Sequence, residues 1–354
     1  LFIITAISVC IVALGLIFRA PLLGFIFGKV DADVMENSMV YFFYTVLSYP
    51  FIALYDAGAS IFRAQENTKG PMVISIISNV MNIAGNAILI WVFHMGVAGA
   101  AISTLVSRIF CAVVVLYQLR KDRQQIVVRD YLKIRPNGRM IGRILALGVP
   151  SGVENSMFQL GKLAIQSTVS TLGTVAIAAQ AMTNIMEMLN GTAVIGVGIG
   201  LMTVVGQSLG AGRKDEAVYY MKKLMAFSEV LLIACCVVVY ILARPIIAIG
   251  GMEPQSAKMC LEMMFWITIV KPIVWMPAFI PAYGMRAAGD VKFSMITSCA
   301  TMWTFRFCLC VYLIRVCGMG PMAVWIGMFT DWTVRGIVFM LRFHSRKWME
   351  HKVV

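Results

Sequence analysis

The sequence contains few charged residues. Only 13% of its 354 residues are Asp, Glu, Lys or Arg, whereas soluble domains carry roughly 25%. Hydrophobic residues make up 60% of the chain, and the mean hydropathy is +0.84. This composition excludes a soluble globular protein and predicts an integral membrane protein that is surrounded by a lipid bilayer.

Residues that bind metals or perform catalysis are also scarce. The 3 histidines lie at or beyond the ends of apolar segments, and the 9 cysteines show no spacing typical of a metal site or a disulfide framework. The sequence has no HExxH motif, no clear Ser/Lys dyad and no Walker motif for ATP. These absences predict a protein that is not an enzyme and needs no metal or organic cofactor.

Acidic residues are fewer than basic residues. The 17 Asp and Glu residues stand against 30 Lys and Arg residues, which gives a net charge of +13. Most basic residues lie in loops between apolar segments, a pattern that orients membrane proteins and does not indicate nucleic-acid binding. We therefore expect no nucleic-acid partner. The loops richest in Lys and Arg predict that both ends of this chain are cytoplasmic, with the protein in the plasma membrane.

Long apolar runs dominate the rest of the chain. A helix that crosses a bilayer needs about 20 mostly apolar residues. The sequence predicts ten such helices, at 2–27, 37–62, 71–93, 97–119, 140–170, 174–205, 217–243, 256–284, 293–315 and 320–343. The predicted fold class is an all-α membrane protein.

The second part of the chain repeats the first. Four pairs of anchors are separated by 222 to 224 positions: Pro21 and Pro245, Pro50 and Pro272, Arg63 and Arg286, and Gly96 and Gly320. So constant an offset predicts two homologous, pseudo-symmetric bundles of transmembrane helices. Parallel repeats of this kind are typical of transporters that handle their substrate where the repeats meet.

The repeat also predicts the organisation of the chain. We assign residues 1–119 to an N-terminal lobe of four helices, 120–139 to a cytoplasmic linker and 140–354 to a C-terminal lobe of six helices. The same offset places the start of the first lobe about 80–90 residues before Leu1, which leaves room for two more helices. The complete protein is therefore expected to have twelve helices, of which this chain begins with the third.

Five motifs resemble those of one family, multidrug and toxic compound extrusion (MATE). They are VGQSLGAG at 205–212, FRAQENTKGP at 62–71, GVAGAAIST at 96–104, LGVPSG at 147–152 and DWTVRG at 331–336. They occur in the family's order and cover its helices 3 to 12. The resemblance implies the twelve-helix MATE fold without its first two helices.

The resemblance also implies a function. It indicates a secondary active antiporter that exports amphiphilic, often cationic drugs or metabolites in exchange for Na+ or H+ by alternating access. The alternative is a flippase for lipid-linked sugars or lipids in the same broader transporter group, for which a more cationic cavity is expected. Lys162, Lys271 and Arg306 leave room for that alternative. Nothing in the sequence demands an oligomer, so we expect a monomer.

Three polar residues of the N-terminal lobe form a candidate coupling-ion or proton site. Asn82 and Asn86 lie four residues apart and share a helix face. Taken alone, they are also typical of amides that hydrogen-bond neighbouring membrane helices. The resemblance matches Asn82, Asn86 and Thr104 to an Asn, an Asp and a Thr that act with an Asp on the family's first helix. Because Asn86 cannot titrate, we expect that helix to supply the charge of such a site.

A polar stripe in the C-terminal lobe is a candidate wall of a substrate cavity. Gln180, Asn184 and Glu187 follow one another at helical spacing. Polar groups that face lipid are costly, so the stripe is expected to face a cavity, where an acid attracts lipophilic cations. The alternative for Glu187 is a buried ion pair with Lys271 or Arg306.

Two further residues of the preceding helix are candidates for the same cavity. Glu154 lies four residues after Pro150, and a carboxylate in a membrane helix is a functional candidate. Its alternative is a structural role, either as a cap on the broken helix or in a pair with Lys162. The resemblance places Gln166 at the pseudo-equivalent of the acidic residue on the family's first helix.

Overall fold

A computed structural model of the chain describes residues 2–27, 32–121 and 137–350. Within these residues the chain is almost entirely helical and contains no strand, as the sequence predicts. Most of the predicted linker, residues 122–136 with their basic side chains, lies outside the described residues, as does His351.

Helices fall at all ten positions at which the sequence predicts a span. In the first half they are α1 (Phe2–Ile17), α2 (Arg19–Phe27), α3 (Ala32–Leu47), α4 (Tyr49–Ala64), α5 (Lys69–Ala87) and α6 (Gly96–Leu119). In the second half they are α7 (Gly138–Val169), α8 (Thr174–Gly210), α9 (Lys214–Ile249), α10 (Pro254–Ala287), α11 (Val291–Thr301), α12 (Leu309–Arg315) and α13 (Met322–His344). Two π-helical segments, Ile88–Val92 and Met302–Cys308, continue α5 and α11.

Eight of the helical segments are long and apolar enough to cross a membrane. The two predicted spans that do not qualify are residues 2–27 and α7. In the first, the apolar run is divided between α1, which has 16 residues, and α2, which has 9. In α7, the basic residues Arg139 and Arg143 and several polar side chains dilute the apolar character of the helix.

Helix α9 illustrates how these segments suit a bilayer. One face of the helix is buried, with Leu232 and Cys236 fully inaccessible. On the opposite face Val230 and Ile241 are about two-thirds exposed, at 67% and 68%. Apolar side chains exposed along a whole helix are costly in water and favourable in lipid. The chain is therefore a multi-pass membrane protein.

The chain forms two compact units, Leu1–Ile141 and Gly142–Val354. The first unit has a small core that includes Phe62, Ile74 and Val115. The second has a larger core that contains the most voluminous buried side chains, among them Trp325 and Trp332. The predicted boundaries of the two lobes and their linker stay predictions.

The sequence repeat is visible in the backbone of the two units. Helices α4 and α10 are each followed, two residues after their last residue, by a residue with a left-handed backbone. These residues are Glu66 at φ 63° and Gly289 at φ 85°, which lie 223 positions apart. In each turn the next N–H donates to the carbonyl five positions earlier, at 3.0 Å after α4 and 2.9 Å after α10. This is the Schellman arrangement that satisfies the last carbonyls of a helix.

Candidate functional site

The second unit encloses a cavity made of two adjoining chambers of about 370 and 620 Å³. Helices α7, α8 and α13 and the π-helical segment Met302–Cys308 contribute to both chambers, and α10 contributes to the first. Lys162, Glu187 and Arg306 line both chambers. We refer to the two chambers together as the second-unit cavity. Their volumes lie in the range of sites for small organic molecules, about 300–1,000 Å³.

All five residues predicted for a substrate cavity line this one. Glu154 lies in the first chamber. Gln166, Gln180 and Asn184 lie in the second, and Glu187 borders both. The structure thus brings the predicted residues of α7 and α8 to one place, while their role in binding a substrate stays a prediction.

Glu187 forms an ion pair across the gap between α8 and α10. The Nζ atom of Lys271 lies 2.6 Å from Oε1 of Glu187 and donates a second hydrogen bond of 2.9 Å to the main-chain oxygen of the same residue. The lysine side chain is fully buried, and the carboxylate side chain is 20% exposed. The ammonium also lies 5.5 Å from the centre of the Trp275 ring. Of the two alternatives for Glu187, cavity lining and a buried ion pair, the structure shows both.

Glu154 is paired with a residue that the sequence analysis did not connect to it. Its Oε1 atom accepts a hydrogen bond of 2.7 Å from Nη2 of Arg286 on α10. The alternative prediction, a pair of Glu154 with Lys162, is wrong. The two residues are eight positions apart on one helix, which corresponds to about 12 Å along the axis and places them on different faces. The second oxygen of Glu154 is buried without a hydrogen-bond partner among the described residues. This pair therefore has unused hydrogen-bonding capacity.

The polar stripe on α8 is tied to α13. Gln180 donates to Oδ1 of Asn184 at 3.3 Å and accepts a hydrogen bond of 3.1 Å from the indole N–H of Trp325. Gln180 and Trp325 are both buried. These bonds fix the amide of Gln180 against the second chamber.

A third ion pair includes Arg335, which lines the first chamber. Arg335 donates two hydrogen bonds to the carboxylate of Asp331, at 2.6 and 2.8 Å, as their spacing of four residues predicts. Its Nε atom also donates to Thr301 at 3.2 Å. The guanidinium lies 4.8 Å from the ring centre of Phe158 and 5.2 Å from that of Phe279. Both charges are buried and bonded to each other, which favours a structural role for this pair.

Aromatic rings form one wall of the first chamber. Trp275 and Phe279 are stacked with their centroids 4.8 Å apart, and Phe279 contacts Trp332 edge-on at 6.2 Å. Tyr283 and Phe158 complete the set. We call these five residues the aromatic wall. Such a surface binds flat apolar groups of many kinds.

Arg306 differs from the other buried cations of the second unit. It lies in the π-helical segment that follows α11, and its side chain is only 7% exposed. Among the described residues it makes no hydrogen bond or ion pair, and its Nε atom is buried without a partner. The sequence indicates Arg306 as a possible partner of Glu187 and as one of three cations that leave room for a flippase, and no local motif marks the segment as π-helical.

The three predicted coupling residues of the first unit form a hydrogen-bonded chain. Asn86 donates to Oδ1 of Asn82 at 3.3 Å, and Asn82 donates to Oγ1 of Thr104 at 3.2 Å. The Thr104 hydroxyl donates to the main-chain oxygen of Ala100 at 2.8 Å. The Oδ1 atom of Asn86 is buried without a partner among the described residues. The chain joins α5 to α6, as expected for amides that link helices, and it leaves one oxygen free to bind a cation or a proton donor.

No group of three or more His, Cys, Asp or Glu side chains that could hold a metal ion occurs within the described parts of the chain. The amide and hydroxyl oxygen atoms of Asn82, Asn86 and Thr104 are suitable ligands for Na+. They include no carboxylate. These three residues therefore do not supply the negative charge expected of the predicted site.

Comparison with known proteins places the chain among transporters. The MatE family model matches residues 1–88 and 150–312. The chain is 24% identical over 337 residues to "Probable multidrug resistance protein NorM" of Thermotoga maritima, an alignment that covers 93% of this chain and 71% of the relative. It is 27% identical over 353 residues to "Uncharacterized transporter YisQ" of Bacillus subtilis, covering 97% of this chain and 76% of the relative.

A solved structure shows the same fold. It is that of a MOP superfamily transporter from Pyrococcus furiosus, with a TM-score of 0.88 and 17% identity, and the match covers 99% of this chain and 78% of that one. At this identity the likeness concerns the fold, and it confirms the predicted all-α transporter architecture. From the extent of the family match and the shared fold, the chain belongs to the MatE family of membrane transporters and is not an enzyme.

Proposed function

We propose that this protein is a secondary active antiporter of the plasma membrane that exports amphiphilic drugs or metabolites in exchange for Na+ or H+. The observation that carries the proposal is the second-unit cavity, which combines an aromatic wall with polar and ionic groups inside a bundle of membrane helices. Several relatives are named as probable multidrug resistance proteins, among them those of Thermotoga maritima and Acinetobacter baylyi.

The cavity supports broad recognition of amphiphilic molecules. Stacked rings at Trp275 and Phe279 offer contact area that does not depend on a particular hydrogen-bond pattern. Met188 and Met328 line both chambers, and unbranched thioether side chains adapt to different shapes. A pocket of this kind favours many ligands at moderate affinity over one ligand at high affinity.

The ion pairs bear on the expected charge of the substrates. The sequence predicts a preference for cations because an acid in a cavity attracts them, and it leaves ion pairs open as the alternative for Glu154 and Glu187. In the structure Arg286 and Lys271 neutralise these carboxylates at 2.7 and 2.6 Å. The two acids therefore give little support to a cationic preference unless transport separates the pairs.

The first unit supplies the candidate for ion coupling. We propose that Asn82, Asn86 and Thr104 contribute neutral oxygens to a Na+ or H+ site whose charge comes from outside the described residues. The free Oδ1 atom of Asn86 supports this proposal, because a buried acceptor without a partner is costly unless a ligand satisfies it. The orientation that goes with the proposal has both ends of this chain in the cytoplasm.

A flippase for lipid-linked sugars or lipids is the second candidate. The surplus of cationic side chains in the second-unit cavity favours it, because such substrates carry phosphate groups. The Pyrococcus furiosus transporter with the same fold is described as having a binding pocket of reversed polarity that suggests a different function.

Dye efflux from cells that express the full-length protein tests the proposal. Ethidium and carboxyfluorescein, one cationic and one anionic, would be loaded separately, and the Na+ and H+ gradients would be collapsed one at a time. We expect efflux that stops when one of the two gradients is removed, which identifies the ion. A well-expressed protein that exports neither dye under any gradient would contradict the proposal and favour the flippase.

A further inference from the structure

The positive charges of the second-unit cavity outnumber its negative charges. The cations that line the cavity or pair with its lining residues are Lys162, Lys271, Arg286, Arg306 and Arg335. The acids of the same set are Glu154, Glu187 and Asp331. Each acid is engaged by one cation at 2.6 to 2.7 Å. Two cations, Lys162 and Arg306, have no such partner within the described part of the chain.

Arg306 is the stronger of the two as a ligand-binding group. Its side chain is more than nine-tenths buried and borders both chambers. The two carboxylates that interact electrostatically with Arg306, those of Asp331 and Glu187, are already bonded to Arg335 and Lys271. A buried guanidinium without hydrogen bonds is costly, and an anion in the cavity would relieve that cost.

Lys162 is the second cation of the cavity without an ion-pair partner in the described part of the chain. It lies on α7, its side chain is exposed, and it borders both chambers together with Arg306. A guanidinium binds carboxylate or phosphate oxygens in a fork, while an ammonium adds a point charge. The aromatic wall borders the first chamber, where Arg306 is also found.

From this arrangement we propose that Arg306 and Lys162 form an oxyanion subsite in the second-unit cavity. The subsite takes the carboxylate or phosphate of an amphiphilic compound whose flat apolar part lies against the aromatic wall. The inference deepens the proposed function by naming a substrate class. It rests on that function only for the export of the bound compound, because binding itself does not require transport.

Binding of three probes that share one ring system tests the subsite. The probes are 2-naphthoate, its neutral amide 2-naphthamide and the cationic 2-naphthylmethylammonium, measured by scintillation proximity on the purified full-length protein in detergent. We expect naphthoate to bind about tenfold or more tightly than the ammonium, because only the carboxylate can accept a charge-assisted hydrogen bond from the two cations. Preferential binding of the ammonium by the unaltered protein would overturn the proposal.

Variants of Arg306 locate the effect. We expect Arg306→Gln to weaken naphthoate binding about tenfold and Arg306→Lys to restore part of it, with naphthamide affinity little changed. Arg213→Gln is the matched control, because Arg213 is a cation whose side chain is 66% exposed in a surface pair with Glu216. Equal naphthoate affinity in Arg306→Gln and the unaltered protein would refute the subsite.

A second variant decides the matter if Arg306→Gln does not fold. The Lys162 side chain is exposed and has no ion pair within the described residues, so Lys162→Gln is expected to fold. A loss of naphthoate affinity with naphthamide affinity retained supports the subsite, and unchanged naphthoate affinity overturns it. Because binding is measured without an ion gradient, failure of the antiport proposal and failure of the subsite are distinguishable.

Discussion

At position 271 a lysine ammonium is completely buried between membrane helices, and a single carboxylate compensates its charge. Removing one member of such a pair leaves the other as an uncompensated buried charge, which costs about 3–5 kcal/mol. The two members are not equivalent here. The Glu187 side chain keeps 20% of its surface exposed in the cavity, whereas Lys271 has none.

We therefore expect Glu187→Met to lower the free energy of unfolding more than Lys271→Met, by about 3 against about 1 kcal/mol. The double variant is expected to be more stable than Glu187→Met alone, because it also removes the stranded ammonium. Unfolding in mixed detergent micelles measures all three variants. Equal losses for the two single variants, with simple addition in the double, would contradict this assignment.

The coupling residues allow a second prediction at this scale. Replacing Thr104 by Val keeps the shape of the side chain and removes the hydroxyl that accepts from Asn82 at 3.2 Å. We expect roughly tenfold slower efflux at saturating substrate and a stability loss of only about 1 kcal/mol. Ser107→Ala is the control, because Ser107 on the same helix bonds within its own helix to Ser103. Normal efflux by Thr104→Val would remove Thr104 from the coupling site.

The sequence predicts well the side-chain pairs that lie four residues apart on one helix. The spacing of four residues identified the contacts of Asp331 with Arg335 and of Asn86 with Asn82. It could not identify the pair of Glu154 and Arg286, which lie 132 positions apart. Such partners are set by how helices pack, and that information is spread over the whole bundle. The sequence marks Arg286 only as an anchor of the repeat, at the position that matches Arg63.

At the scale of the elements, the turns that follow α4 and α10 have the same backbone conformation but different residues. The same left-handed turn contains Glu66 in one unit and Gly289 in the other. A residue with a Cβ atom pays about 1–2 kcal/mol to adopt this backbone, and glycine does not. We expect Glu66→Gly to raise the free energy of unfolding by about 0.5–1 kcal/mol and Gly289→Ala to lower it by about 1 kcal/mol. Shifts of the same sign, measured by thermal unfolding, would show that the two turns are not equivalent.

Helix α13 approaches the segment that carries Arg306 at one glycine. A Cβ atom on Gly327 would lie 2.9 Å from the main-chain oxygen of Arg306, which cannot rotate away. We expect Gly327→Ala to cost about 1–3 kcal/mol of stability and to weaken naphthoate binding by moving Arg306. Gly196→Ala is the control, since its Cβ atom would meet nothing within 4 Å. In an open helical position alanine stabilises by about 0.5–1 kcal/mol, so equal effects would argue against a tight contact at Gly327.

Helix positions were predictable from the sequence because apolar runs of this length are unambiguous. Their interruptions were not. The break between α1 and α2 and the π-helical segment Met302–Cys308 depend on backbone hydrogen bonding that apolarity does not encode. The second interruption matters most for function, because it sets the position of Arg306.

At the scale of the whole molecule, the internal repeat predicts the family architecture. An offset near 223 residues, ten apolar helices and five ordered motifs together led to the fold that the family match and the solved relative confirm. The polarity of the cavity was predicted less well. Counting acids on α7 and α8 favoured cationic substrates, whereas the structure pairs each acid with a cation from α10.

The central claim is that the second-unit cavity is the substrate site of an ion-driven exporter. Its most direct test is transport in proteoliposomes that contain only the purified full-length protein, with a Na+ or H+ gradient imposed across the membrane. We expect one gradient to drive substrate movement, and we expect Arg306→Gln to reduce it for carboxyfluorescein while Arg213→Gln does not. Gradient-driven transport that is unaffected by Arg306→Gln and by substitutions in the aromatic wall would contradict the claim.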